Sequence, residues 1–82
     1  MLRIAAETRL SPEEAIKQAI EFFGPSGYGL EIQDQAPACV NFQGMGGRIE
    51  VIACTAGKQT SVELVSHEFD HQVREFTSKL PR

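Results

Sequence analysis

Between Tyr28 and Val65 the chain changes sides at almost every residue. Tyr28, Leu30 and Ile32 alternate with Gly29, Glu31 and Gln33. Ala38, Val40 and Phe42 alternate with Cys39 and Asn41. Ile49, Val51 and Ala53 alternate with Glu50, Ile52 and Cys54, and Val62 and Leu64 alternate with Ser61, Glu63 and Val65. A period of two is that of a half-buried strand. The interruptions Asp34-Gln35-Ala36, Gly44-Met45-Gly46-Gly47 and Ala56-Gly57 are short and read as turns. Four strands linked this closely form successive hairpins.

The turns also set a register. A two-residue Ala56-Gly57 loop pairs Thr55 with Lys58, and so places Val51 opposite Val62 and Ile49 opposite Leu64. A loop of Gly44 to Gly47 pairs Gln43 with Arg48, Phe42 with Ile49 and Val40 with Val51. Both turns gather the apolar residues on one face, the consistency that a correct register requires. One consequence is unfavourable: Glu50 then faces Glu63, with Arg48 diagonal to the pair as an offset. Cys39 opposes Ile52, with Cys54 diagonal to it. Diagonal neighbours lie about 7–8 Å apart, beyond ordinary disulfide reach, so both thiols are expected to be free.

Two helices frame these strands. Residues 2–8 alternate first, with Leu2, Ile4 and Ala6 on one side and Arg3, Ala5 and Glu7 on the other. Ser11-Pro12-Glu13-Glu14 then marks a helix start. Ser11 serves as cap, Pro12 fits the first helical position, and the Glu14 side chain returns a bond to the Ser11 amide. Ile16, Ala19, Ile20 and Phe23 follow as an apolar stripe, which Gly24-Pro25 ends. A second stripe, Phe69, Val73, Phe76 and Leu80, predicts a terminal helix capped by Ser66 or Asp70. The expected fold is α+β: an antiparallel sheet of about five strands in the order β-α-β-β-β-β-α, with both helices packed on one face.

Length and charge restrict what this fold can do. The 82 residues read as one small domain spanning 1–82, with a thin core, since folding at this size hides only about 60% of the chain's surface. Eight Lys+Arg stand against 11 Asp+Glu, a net charge of −3. That balance disfavours non-specific nucleic-acid binding. No apolar run approaches the ~18 residues of a membrane span, and the N-terminus turns polar too early for a secretory signal. The expected setting is cytoplasmic, with no membrane and no nucleic-acid partner.

The layout resembles a shortened helix-grip domain, the fold of the START lipid-transfer proteins and the polyketide cyclase-like proteins. The residues that carry the resemblance are the opening strand into Ser11-Pro12-Glu13-Glu14-Ala15, the segment Gly46-Gly47-Arg48-Ile49-Glu50-Val51, and the last strand running into a helix that ends Phe76-Thr77-Ser78-Lys79-Leu80. The family normally places six strands between its helices and an apolar cavity beneath them. Four are read here, so no functional residue is carried over.

One segment matches a chemical motif. His67-Glu68-Phe69-Asp70-His71 has the H-E-x-x-H pattern, in which two imidazoles one helical turn apart hold zinc and the Glu acts as general base. On a helical wheel with Phe69 at zero, however, His67 falls near ~160° and His71 near ~200°, opposite the apolar stripe. Both imidazoles would then face solvent, without a third ligand nearby; the alternative is that His67 belongs to the end of the preceding strand. The glycine-rich segments at 24–29 and 44–47 each lead into a strand, whereas phosphate loops lead into a helix. They read as turns.

The function read from these residues is a small non-catalytic binding or interaction module, with no cofactor and no metal. It has two versions. In one, a small apolar ligand enters between the terminal helix and the sheet near Tyr28, Phe42, Phe69 and Phe76; those same aromatics also serve as an ordinary core. In the other, the chain is a homo-oligomer that associates through its sheet, using the outer face with Ala5, Cys39, Ile52, Cys54 and Val65. The alternative is a zinc-dependent hydrolase built on His67, Glu68 and His71.

Overall fold

The computed structural model describes residues 1–81. Its elements run β1 (Leu2–Thr8), α1 (Pro12–Phe23), β2 (Glu31–Ala36), β3 (Cys39–Gly44), β4 (Gly47–Ala56), β5 (Gln59–His67) and α2 (Asp70–Lys79). The strands form one antiparallel sheet in the order β1-β5-β4-β3-β2. Both helices lie on the face that carries Val40, Phe42, Ile49, Val51, Ala53, Val62 and Leu64, and together they enclose a continuous apolar core. The radius of gyration is 11.4 Å.

The start of α1 forms as its sequence dictates. The Glu14 amide donates to Ser11 Oγ at 3.2 Å, and the Ser11 amide donates to Glu14 Oε1 at 3.1 Å. This reciprocal pair satisfies two amides that the first turn would leave open. Ala15, Ile16, Ala19 and Phe23 are buried on the sheet, while Ile20 is only half-buried.

The β3–β4 register is the one the sequence implies: Val40 faces Val51, Phe42 faces Ile49 and Cys39 faces Ile52. Met45 and Gly46 both have positive φ, 51° and 82°. These are the two central residues of the turn that suits the right-handed twist of paired strands. Gly47 opens β4 where no side chain fits. A Cβ there would strike the His67 carbonyl oxygen and lie 2.8 Å from a Phe69 ring carbon.

The β4–β5 hairpin differs from expectation by two residues. Its loop is Gly57-Lys58, so Ala56 pairs with Gln59 and Thr55 with Thr60. Gly57, with φ of 65°, takes the first central position. Val51 therefore faces Leu64, Ala53 faces Val62 and Ile49 faces Ser66. The like-charge Glu50–Glu63 pair disappears: Glu50 lies opposite Val65 and Glu63 opposite Ile52. Glu63 instead meets Arg3 of the neighbouring strand, 3.4 Å from Oε1 to Nη2.

Two further expectations change. Asp34-Gln35-Ala36 is strand, paired with β3 after an irregularity between Ile32 and Asp34, and the turn falls on Pro37-Ala38. Tyr28 precedes the strand, in a turn where its amide donates to the Phe22 carbonyl at 3.1 Å. Among the described residues four strands lie between the helices.

Truncation of the cap, Ser11→Ala, is expected to lower stability by about 1 kcal/mol. Urea denaturation curves of the two proteins measure it, and an unchanged midpoint would mean that the capping pair contributes nothing.

Candidate functional site

The aromatic residues form a cluster where the two helix ends meet the sheet. The Phe23 ring lies 5.6 Å from Phe42 and 5.2 Å from Phe76, centroid to centroid. Phe22 sits 5.4 Å from Phe76 and 5.3 Å from Tyr28, with Lys79 Nζ 5.2 Å from its ring centroid. Edge and tilted arrangements of this kind suit the ring quadrupoles. Phe42, Phe69 and Phe76 are buried, and their rings make up the core. Phe69 belongs to the same core and packs against Gly47. Tyr28 is exposed; its hydroxyl donates to Glu75 Oε1 at 2.7 Å, tying the loop after α1 to α2. The structure thus brings Phe42 and Phe76 together through Phe23, while Tyr28 meets the group from the surface through Phe22. A surface groove of about 200 Å³ between α1 and α2, lined by Gln18, Glu21, Phe22, Phe76 and Lys79, touches the cluster. That is small beside the ~300 Å³ of a typical ligand site. Phe22 lies off the apolar stripe of α1; its only signal in the sequence is the doubled phenylalanine at the helix end.

The H-E-x-x-H match is not helical. His67 ends β5, opposite Arg48, and His71 lies in the first turn of α2. Between them Glu68 has a φ of 77°, which turns the strand sharply into the helix. Ser66 Oγ accepts the Phe69 amide at 3.0 Å and supports that corner. The wheel that placed His67 on a helix face therefore applies only from Asp70 onward. Among the described residues no three His, Cys, Asp or Glu side chains are grouped to hold one metal ion.

The outer face of the sheet is mixed. Cys39, Ile52 and Val65 are half-buried, and Ala5 and Cys54 are exposed. Both cysteines are free thiols. Asn41, Arg48, Glu50, Val65 and His67 are among the residues that line a hollow of about 140 Å³, and Asn41 Oδ1 is buried without a hydrogen-bond partner among the described residues.

The two edges of the sheet differ more than its faces. β2 is an edge with an irregularity in its middle, acidic residues at Glu31 and Asp34, and Pro37 at its end. Kinks, like charges and proline all blunt an edge. β1 is regular over its full pairing with β5, from Leu2–Ser66 to Thr8–Thr60. It contains neither proline nor bulge, and among the described residues its other side carries no strand. A hollow beside it is lined by Ile4, Ala6, Arg74, Thr77 and Ser78, among others. Its far end is closed: Thr8 Oγ1 and the Arg9 amide both donate to the Pro81 carbonyl.

No family model matches the chain, and no curated protein matches it. A similar solved structure is the Aha1 dimer from Colwellia psychrerythraea, with a TM-score of 0.60 and 16% sequence identity. The alignment covers 98% of this chain and 96% of that one. The likeness extends over the whole fold. No described helix is long and apolar enough to cross a membrane.

Two outcomes separate core from site. Phe76→Ala is expected to cost about 3–5 kcal/mol through lost burial and a cavity. The double change His67→Ala with His71→Ala is expected to cost less than about 1 kcal/mol, and a chelator is expected to leave the denaturation midpoint unmoved. A midpoint that drops with chelator in the wild type, and not in the double variant, would make the histidines a metal site.

The Tyr28–Glu75 contact also predicts a titration. The hydrogen bond to Glu75, then desolvation, then the carboxylate's charge, raise the Tyr28 pKa above 10.0. Because the folded state favours the neutral phenol, this contact stabilises fully below the ordinary tyrosine value and is lost as pH climbs through the raised one. Absorbance titration of the sole tyrosine is expected to show the higher midpoint, and Glu75→Gln to bring it down.

Proposed function

We propose that the chain is a small non-catalytic interaction module that self-associates through its sheet. The observation that carries this reading is the unpaired β1 edge. Its outward amides and carbonyls are free to form a ladder, and strand addition is a common way for such an edge to bind. The contrast with β2, which is kinked and acidic, makes the openness of β1 a local property. A dimer with the same overall fold supports the reading. The helix-grip resemblance adds the fold without its ligand: Phe42 and Phe76, two of the aromatics that would line an apolar pocket, are buried against Phe23.

The apolar-ligand version would need the helices to part over Phe22 and Phe76, and nothing in the packing favours that. The hydrolase alternative needs a helical pair of imidazoles, and His67 lies in a strand.

Sedimentation equilibrium across a range of concentrations is expected to give the mass of a dimer, with no bound small molecule in native mass spectrometry. A monomer at every soluble concentration would overturn the proposal.

A further inference from the structure

Resting on the self-association just proposed, we infer that the partner is a second copy of this chain joined β1 to β1, antiparallel, about a twofold axis through Ala5. Such an interface is isologous: each residue meets a residue of the same patch in the other copy. Residues directly opposite in an antiparallel pair point to the same face, so a pairing that keeps both cores on one side must match odd positions with odd and even with even. Three centres satisfy this near the middle of the strand: Ile4, Ala5 and Ala6. Only the centre at Ala5 places Arg3 of one copy opposite Glu7 of the other, and by symmetry does so twice. The other two centres set Arg3 or Glu7 opposite an alanine.

The remaining positions fit the same register. Ala5 meets itself at the axis, where a small side chain lets the outer faces approach. Ile4 meets Ala6 on the inner face, and both are only half-buried in the single chain, so pairing covers apolar surface that the monomer leaves wet. Glu7 has no ion-pair partner among the described residues, whereas Arg3 already reaches Glu63. The five donors of a guanidinium allow Arg3 to hold Glu63 with one nitrogen and the incoming Glu7 with another. The opposite charges around a small centre make β1 complementary to itself. Two β2 edges, each carrying Glu31 and Asp34, would repel. The closed end at Thr8 leaves Arg3 to Glu7 as the ladder that can form.

The test is a charge exchange read by sedimentation or native mass spectrometry. Arg3→Glu alone places like charges at both pairs, and so does Glu7→Arg alone. Each variant is expected to self-associate at least tenfold more weakly than the wild type. Mixed in equal amounts, the two are expected to form a heterodimer, since every pair is then complementary. The double variant Arg3→Glu with Glu7→Arg is expected to recover a homodimer, which controls for any loss of the Arg3–Glu63 contact. Circular dichroism confirms that each variant is folded. A wild-type dimer whose affinity ignores both single changes, or a mixture that yields no heterodimer, would overturn this register while leaving self-association standing. A wild-type monomer would overturn both.

Discussion

The ring of Phe23 is the point on which the layers depend. It ends the first helix, and from there it touches the sheet through Phe42 and the second helix through Phe76. A chain this short hides a modest share of its surface, and this one side chain joins three of its elements. The helix start is set by the Ser11–Glu14 pair, but the depth at which α1 sits on the sheet is set at the other end, by this ring. Phe22, next to it, closes the gap between the helix ends and carries the Lys79 ammonium over its outer face. The same packing fills the space beneath the helices with the rings of Phe23, Phe42 and Phe76.

The order of the elements, the capping pair and the β3–β4 register could be read from the residues, because each rests on a local rule with one good solution. The β4–β5 register could not. Ala56-Gly57 and Gly57-Lys58 are both acceptable two-residue loops, and they differ by a shift of two. Such a shift keeps Ile49, Val51, Val62 and Leu64 on the inner face, so hydrophobic patterning is blind to it. The charges did hold a clue: the wrong register set Glu50 against Glu63, and the observed one removes that clash and gives Glu63 to Arg3. The strand β2 was misplaced for another reason. Its exposed edge needs few apolar residues, and so Asp34-Gln35-Ala36 looks like a turn when read alone.

The candidate sites followed the same division. Phe42 and Phe76 both lie against Phe23 where the helices meet the sheet, a junction that a list of aromatics does not reveal. The histidine pair was judged on a helical wheel, and Glu68 with its positive φ breaks the wheel between them. The edge of the sheet was invisible at the level of single residues, because which strand lies outermost depends on β1 joining β5 across almost the whole chain.

That long-range pairing also sets an order of events during synthesis. The residues of β1 are made before every other strand of the sheet, yet their hydrogen-bonding partners, Thr60 to Ser66, lie in the strand made after all the others. The three hairpins of β2 to β5 and the helix α1 need only near neighbours in sequence, while β1 must close a loop that holds all of them. Until that closure β1 is a nascent strand with two open sides, and neighbouring chains on one polysome present the same sequence. The element that completes the fold is thus also the one most exposed to premature pairing between nascent chains.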